Sequence, residues 1–363
     1  MVSDTSISKY RSSSRLHAVD ICRGLALLLM IEAHIPQSIG WVTKWAAIMA
    51  GPFFLIVSGF SYDLFLSSKM KKSSKNSIFL ESFFRGFLIY MIPLIPYIIV
   101  GLFFTSYFSS VTGHTYKINI FHWGIFQVIG VGYILGLLIP NNFKSKIILT
   151  ISAFIITYII SNYFNESLSF LISGVFPLFP WIGYFLYGRV AYELHRSKKL
   201  KDDKTLLIFS AAFLIISLLI CEIFKVDLSY SARDKIPMFL LLCSLYYFIF
   251  SLLVIYIDHK HFYFSSADKL ENIGKICFTG YYIHFLSLFL IQKSISPLLG
   301  SLPVIANIVS LLIVVVILVL IEKIWRNYNY RFGFEWLLRK GTEEFLKLSR
   351  VGDEKRTAVG EKL

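Results

Sequence analysis

The chain has 363 residues, of which 56% are hydrophobic, 17% aromatic and only 16% charged. Soluble domains run at about 45–50% apolar and about 25% charged, so a water-soluble fold is excluded. The formal net charge of +14 does not imply a nucleic-acid partner, because the lysines and arginines are not gathered on one module and no recognition motif accompanies them.

The apolar residues fall in stretches of about 20, the length that crosses a bilayer as a helix. Lipid offers an unpaired backbone amide no partner, and the runs are too long and continuous for barrel strands. Ten spans are predicted: Ala18 to Ile35, Trp45 to Leu66, Ile78 to Tyr107, Trp123 to Ile139, Ile147 to Phe164, Phe176 to Leu194, Leu206 to Phe224, Met238 to Ile257, Cys277 to Ile291 and Val304 to Trp325. The predicted fold class is all-α: a polytopic membrane helical bundle of about ten transmembrane helices spanning residues 18–325. A tail of residues 1–17 precedes it and a basic tail of residues 326–363 follows. The first span carries Asp20 and Arg23 and lacks a small-residue cleavage site, so it is read as a retained helix and not a signal peptide.

Charge sets the orientation. With the N-terminus inside, the inner segments up to the ninth span hold 17 lysines and arginines and the outer loops hold six. The positive-inside rule therefore places both termini in the cytoplasm. The third span is long and contains Pro93 and Pro96, which predict a kink. Residues 168–175 read as an interfacial or re-entrant segment, and Gly352 to Leu363 as disordered. Cys22, Cys221, Cys243 and Cys277 show no metal-type spacing, so they read as buried small hydrophobes and no metal is expected.

Charges inside lipid cost at least about 2.5–3.5 kcal/mol each near a helix centre, which makes them candidates for function. The first span is the richest. Asp20 and Arg23, three apart, can pair on one face. His34 lies eleven residues after Arg23, about three turns and about 16 Å further along the same face. Glu32 falls on the other side. Arg85 with Glu81, and Arg189 with Glu193, read as local pairs four apart. Gln127 and Trp181 read as cavity-lining or as interhelical glue and interfacial anchors, and His284 as a residue that could reach the site. His122, Tyr133 and Tyr282 are unassigned.

Arg23, ten intervening residues and His34, within Val19-Asp20-Ile21-Cys22-Arg23-Gly24-Leu25-Ala26, resemble the first helix of the transmembrane acyltransferase superfamily. That superfamily includes the acyltransferase-3 proteins and the heparan-alpha-glucosaminide N-acetyltransferases. Gly51-Pro52-Phe53-Phe54-Leu55-Ile56-Val57-Ser58-Gly59-Phe60 resembles the next element, an aromatic run closing in Ser-Gly-Phe. His122-Trp123-Gly124-Ile125-Phe126-Gln127-Val128-Ile129-Gly130 and Phe176-Pro177-Leu178-Phe179-Pro180-Trp181-Ile182-Gly183 look more like the glucosaminide branch, and the four motifs in the same order on matching spans carry the resemblance to the superfamily. Human-type glucosaminide enzymes carry a histidine in the loop after the first helix, whereas Ile35 to Lys44 has none here.

The resemblance implies an acyl-CoA donor, acetyl-CoA first among them, entering from the cytoplasm, and a sugar hydroxyl or amine of an extracytoplasmic or lipid-linked glycan approaching from the other side. His34 is then the catalytic residue, as general base or as covalent acyl carrier. Asp20, Arg23, Ser58, Gln127, Trp181 and His284 are substrate-binding candidates, with Arg23 on phosphate. The setting is the cell membrane, the plasma membrane in a prokaryote, in contact with lipid, and a homo-oligomer is left open. The competing readings are a secondary transporter or flippase, which predicts two related halves that the sequence does not show, and a non-enzymatic scaffold.

Overall fold

The computed structural model describes residues 15–35, 40–95, 123–140, 142–173, 176–197, 200, 202–227, 235–262, 264–294 and 302–360. Within them the chain is all-α, with twelve main helices. These are α1 (His17–His34), α2 (Trp41–Lys69), α3 (Lys75–Met91), α4 (Ile125–Leu138), α5 (Phe143–Tyr163), α6 (Leu178–Arg196), α7 (Asp203–Ile223), α8 (Ile236–Leu253), α9 (Ser265–Lys275), α10 (Cys277–Ser294), α11 (Pro303–Arg326) and α12 (Phe334–Gly360). A helix lies on each of the ten predicted spans. Five helical stretches, α2, α5, α7, α8 with its extension to His259, and most of α11, are long and apolar enough to cross a membrane.

The burial pattern separates lipid-facing from central helices. Ile148, Ile151 and Ile155 on α5, Ile215, Leu218 and Leu219 on α7, and Leu312, Val316 and Leu320 on α11 are all exposed. Apolar rows of this extent suit a hydrocarbon surround and not water. The centre is built from α1, α2 and α6, whose fully buried residues include Leu27, Phe53, Phe60, Tyr62, Trp181 and Tyr184. Close crossings depend on glycine. A Cβ on Gly59 would collide with the Phe185 carbonyl, and one on Gly188 with that of Ile56, so α2 and α6 meet backbone to backbone. Gly24 and Gly274 do the same for α1 and α9, against the carbonyls of Leu270 and Asp20.

Several expectations are revised. Helix α9 was not predicted, since its polar face hides it from a hydropathy reading; it covers a segment read as an inner loop. α3 ends at Met91 with a turn at Ile92 and Pro93, while Pro96 and the outer part of the third span lie outside the described residues, as does His122. A short helix, Asn165–Leu168, and a 3-10 turn, Ser169–Leu171, begin the segment read as interfacial. α12 runs to Gly360 across part of the stretch expected to be disordered. Its alternation of Glu, Lys and Arg favours helix, and Phe345 anchors it by stacking on Phe84 of α3 at 4.0 Å.

Candidate functional site

The start of α1 is pinned by Asp258, whose two carboxylate oxygens accept from the His17 and Ala18 amides at 2.9 and 3.1 Å. One turn on, Asp20 is buried and accepts from Arg23 Nη1 at 2.7 Å. It also accepts from Arg15 Nε at 2.7 Å. The predicted Asp20–Arg23 pair is thus formed, and it fixes the guanidinium plane of Arg23 at the wall of a cavity of about 270 Å³.

Six further helices line that cavity: α2, α3, α4, α9, α10 and α12. Phe54, Ser58, Ser61 and Phe65 contribute one face of α2, spaced at helical intervals. Arg85 comes from α3, Phe126, Ile129 and Tyr133 from α4, and Lys275 from the end of α9. Three cations therefore line one small cavity. Arg85 was expected to pair with Glu81; instead Glu81 binds Lys69 at 2.9 Å and Arg85 lies over the Phe65 ring at 4.7 Å. Spacing allowed the local pair, but Lys69 of the neighbouring helix reaches Glu81 first. Ser58 lines the cavity with its hydroxyl donating to the Phe54 carbonyl at 2.7 Å.

Glu335 and Leu338 of α12 close the cavity beside the start of α10. The Glu335 carboxylate accepts from the Phe278 and Thr279 amides at 2.7 and 3.0 Å and from the Thr279 hydroxyl at 2.5 Å. It thereby caps the first turn of α10, where an anion suits the helix dipole. Burial pushes the Glu335 carboxyl above the usual carboxylate range.

At the far end of α1, exposed His34 meets buried His284 of α10, with ring centroids 5.4 Å apart. His34 Nδ1 lies 2.7 Å from the Met30 carbonyl. A carbonyl only accepts, so Nδ1 carries the proton and Nε2 keeps the free lone pair. Neither ring nitrogen of His284 makes a hydrogen bond of normal geometry among the described residues. Glu32 faces elsewhere, as expected, accepting from Thr43 at 2.9 Å and Asn307 at 3.2 Å.

Gln127 and Trp181 are not among the described residues lining the cavity. Gln127 caps α4 by accepting from the Gly124 amide at 3.1 Å, and Trp181 is buried against Phe176. Tyr282 packs on Phe334.

The reading of Arg189 and Glu193 as a local pair is also corrected. Arg189 Nε donates to Asp63 at 2.8 Å, and Lys146 bridges Asp63 at 2.5 Å and Glu193 at 2.7 Å. Asp63, Lys146 and Arg189 are at most 2% exposed, so α2, α5 and α6 share one buried charge cluster. The sequence reading overlooked Asp63, although an acid inside a predicted span was a visible signal.

A family model described as an acyltransferase domain, that of the acyltransferase-3 proteins, matches residues 16–322. The chain belongs to the acyltransferase-3 family. Among curated proteins, none matches the chain. This acyltransferase-3 protein is a multi-pass membrane protein, and its family domain carries Arg23, Ser58, Arg85, Lys275, His34 and His284. Glu335 and Leu338 lie on α12, beyond the matched residues.

Proposed function

We propose that this acyltransferase-3 protein moves an acetyl group from cytoplasmic acetyl-CoA to a sugar hydroxyl or amine of an extracytoplasmic or lipid-linked glycan. The observation that carries the reading is the polarity of α1. Its Arg23 end opens on a cavity with three cations, and its His34 end presents a basic nitrogen beside a second histidine. Arg23, Arg85 and Lys275 suit the phosphates of coenzyme A, Arg23 with a planar fork held by Asp20. The sugar acceptor rests on the motifs at residues 122–130 and 176–183 that resemble the glucosaminide branch.

In the proposed reaction His34 Nε2 takes the proton of the acceptor hydroxyl or amine as its oxygen or nitrogen attacks the thioester carbonyl carbon. The new bond to carbon forms, the carbon–sulfur bond breaks, and the thiolate leaves with the proton returned by the imidazolium. Holding donor and acceptor in line on one helix removes much of the entropic barrier.

Ten crossings with both ends cytoplasmic follow from the charge asymmetry of 17 to six. Reporter fusions at Thr342 and after Asn165 should read cytoplasmic and external respectively; the same side at both sites refutes that topology. The activity is tested with purified protein in detergent, radiolabelled acetyl-CoA and a panel of glycan acceptors. Label transfer that depends on acceptor and on His34 supports the reading, and an intact thioester with every acceptor argues against it.

A further inference from the structure

Between the two polar ends of α1 lies an aromatic layer. Phe54 of α2 and Phe126 of α4 both line the three-cation cavity, with ring centroids 5.8 Å apart. Tyr281 of α10 closes against both, at 6.4 Å from Phe54 and 4.8 Å from Phe126. On its other side Tyr281 touches His284 at 5.3 Å, and His284 leads to His34. The α1 face between Arg23 and His34 adds Ala26 and Met30, both buried in the same core as Phe54 and Phe126. The contacts therefore run from the cationic cavity to Phe54 and Phe126, then to Tyr281, then to the histidine pair.

This ordering has a use once the cavity and the histidines open to opposite sides of the membrane, as the function proposed above requires. A water file joining them would conduct protons, with the imidazoles as relays. An apolar constriction prevents this by dewetting, and a charge entering it is penalised by the loss of its hydration. We propose that Phe54, Phe126 and Tyr281 form a seal that closes the transfer path to protons and small ions. Three rings from three different helices suit the task, since rings can turn aside for a ligand without unfolding a helix.

The test is proton flux in proteoliposomes of the full chain, loaded with a pH-sensitive dye and given an outward pH step. Wild-type vesicles should hold the gradient as long as protein-free ones. The Phe54→Ala/Phe126→Ala/Tyr281→Ala protein should dissipate it several-fold faster, while Phe154→Ala/Phe239→Ala, an aromatic pair at 4.6 Å between α5 and α8, should stay tight. A triple variant that melts cooperatively and holds the gradient like wild type overturns the seal. If the triple variant does not fold, Phe126→Ala alone decides: a leak above the control pair supports the seal and none overturns it. Coenzyme A binding, measured alongside, separates the two ideas. Arg23-dependent binding with no leak in the triple variant removes the seal alone, whereas a leak in a protein that binds no coenzyme A removes the donor reading alone.

Discussion

His34 of α1 and His284 of α10 bring their imidazoles to 5.4 Å of one another. Nδ1 of His34 is committed to the Met30 carbonyl, whereas neither nitrogen of His284 makes a hydrogen bond of normal geometry among the described residues. The tautomer this imposes on His34 leaves its Nε2 as the nitrogen able to accept a proton.

That assignment sets the first prediction. His34→Ala is expected to lower transfer about 100-fold or more while leaving the affinity for acetyl-CoA unchanged, by the usual worth of a positioned base. His284→Phe keeps a ring in the buried site and removes both nitrogens, and should lower kcat with little change in donor KM. Steady-state kinetics on both variants decide it; near wild-type transfer by folded His34→Ala removes the general-base role.

Arg23 supplies the second. Arg23→Ala should weaken coenzyme A binding much more than acceptor binding, and Arg23→Lys should recover little because an ammonium lacks the planar fork. Asp20 keeps Arg15 as a partner in both variants, which limits the structural damage. Calorimetric titration with coenzyme A reads the effect, and equal affinities in all three proteins would retire the phosphate role.

The buried cluster gives the third. Asp63→Ala leaves Lys146 and Arg189 inside the bundle without their shared carboxylate, and breaking such a group costs about 3–5 kcal/mol. Glu193, 23% exposed, is the less consequential member, so Glu193→Gln should cost far less. Thermal melts in detergent that rank the two variants the other way round would contradict this account of the cluster.

Glu335 gives a pH prediction. Its native carboxyl is raised above the ordinary value of 4.5 by burial, so between those values the folded chain binds a proton that the unfolded chain has released. The stability contributed by this proton is present at low pH and is lost as pH rises through the raised native value. Glu335→Gln cannot titrate. The melting temperature of wild type minus that of the variant should therefore fall between pH 4.5 and pH 7.5, and a difference that is flat or rises with pH would contradict the assignment.

The sequence showed where apolar helices lie because each is a continuous hydrophobic run, and five of these helices are long and apolar enough to cross a membrane; it showed the Asp20–Arg23 pair because helical periodicity is a property of one segment. Asp20 and Arg23 are three apart and found each other. The pairs across helices were different. Arg85, Glu81, Arg189 and Glu193 each had a plausible partner four residues away, yet their ion pairs or ring contacts lie on neighbouring helices. Sequence spacing cannot weigh a local partner against one brought in by packing. Lys275 escaped notice because α9 is amphipathic, and Glu335 because it follows the last span.

Arg23 and His34 stand on a single helix, His17–His34, that has no break between them. Their separation is therefore a count of peptide units, fixed before any other part of the bundle assembles. α1 works as a ruler: one residue inserted between them would swing His34 by about 100° off the face, whereas four would return it close to that face but about 6 Å further from Arg23. An insertion series would thus read out in register how far a donor anchored at one mark can reach the other.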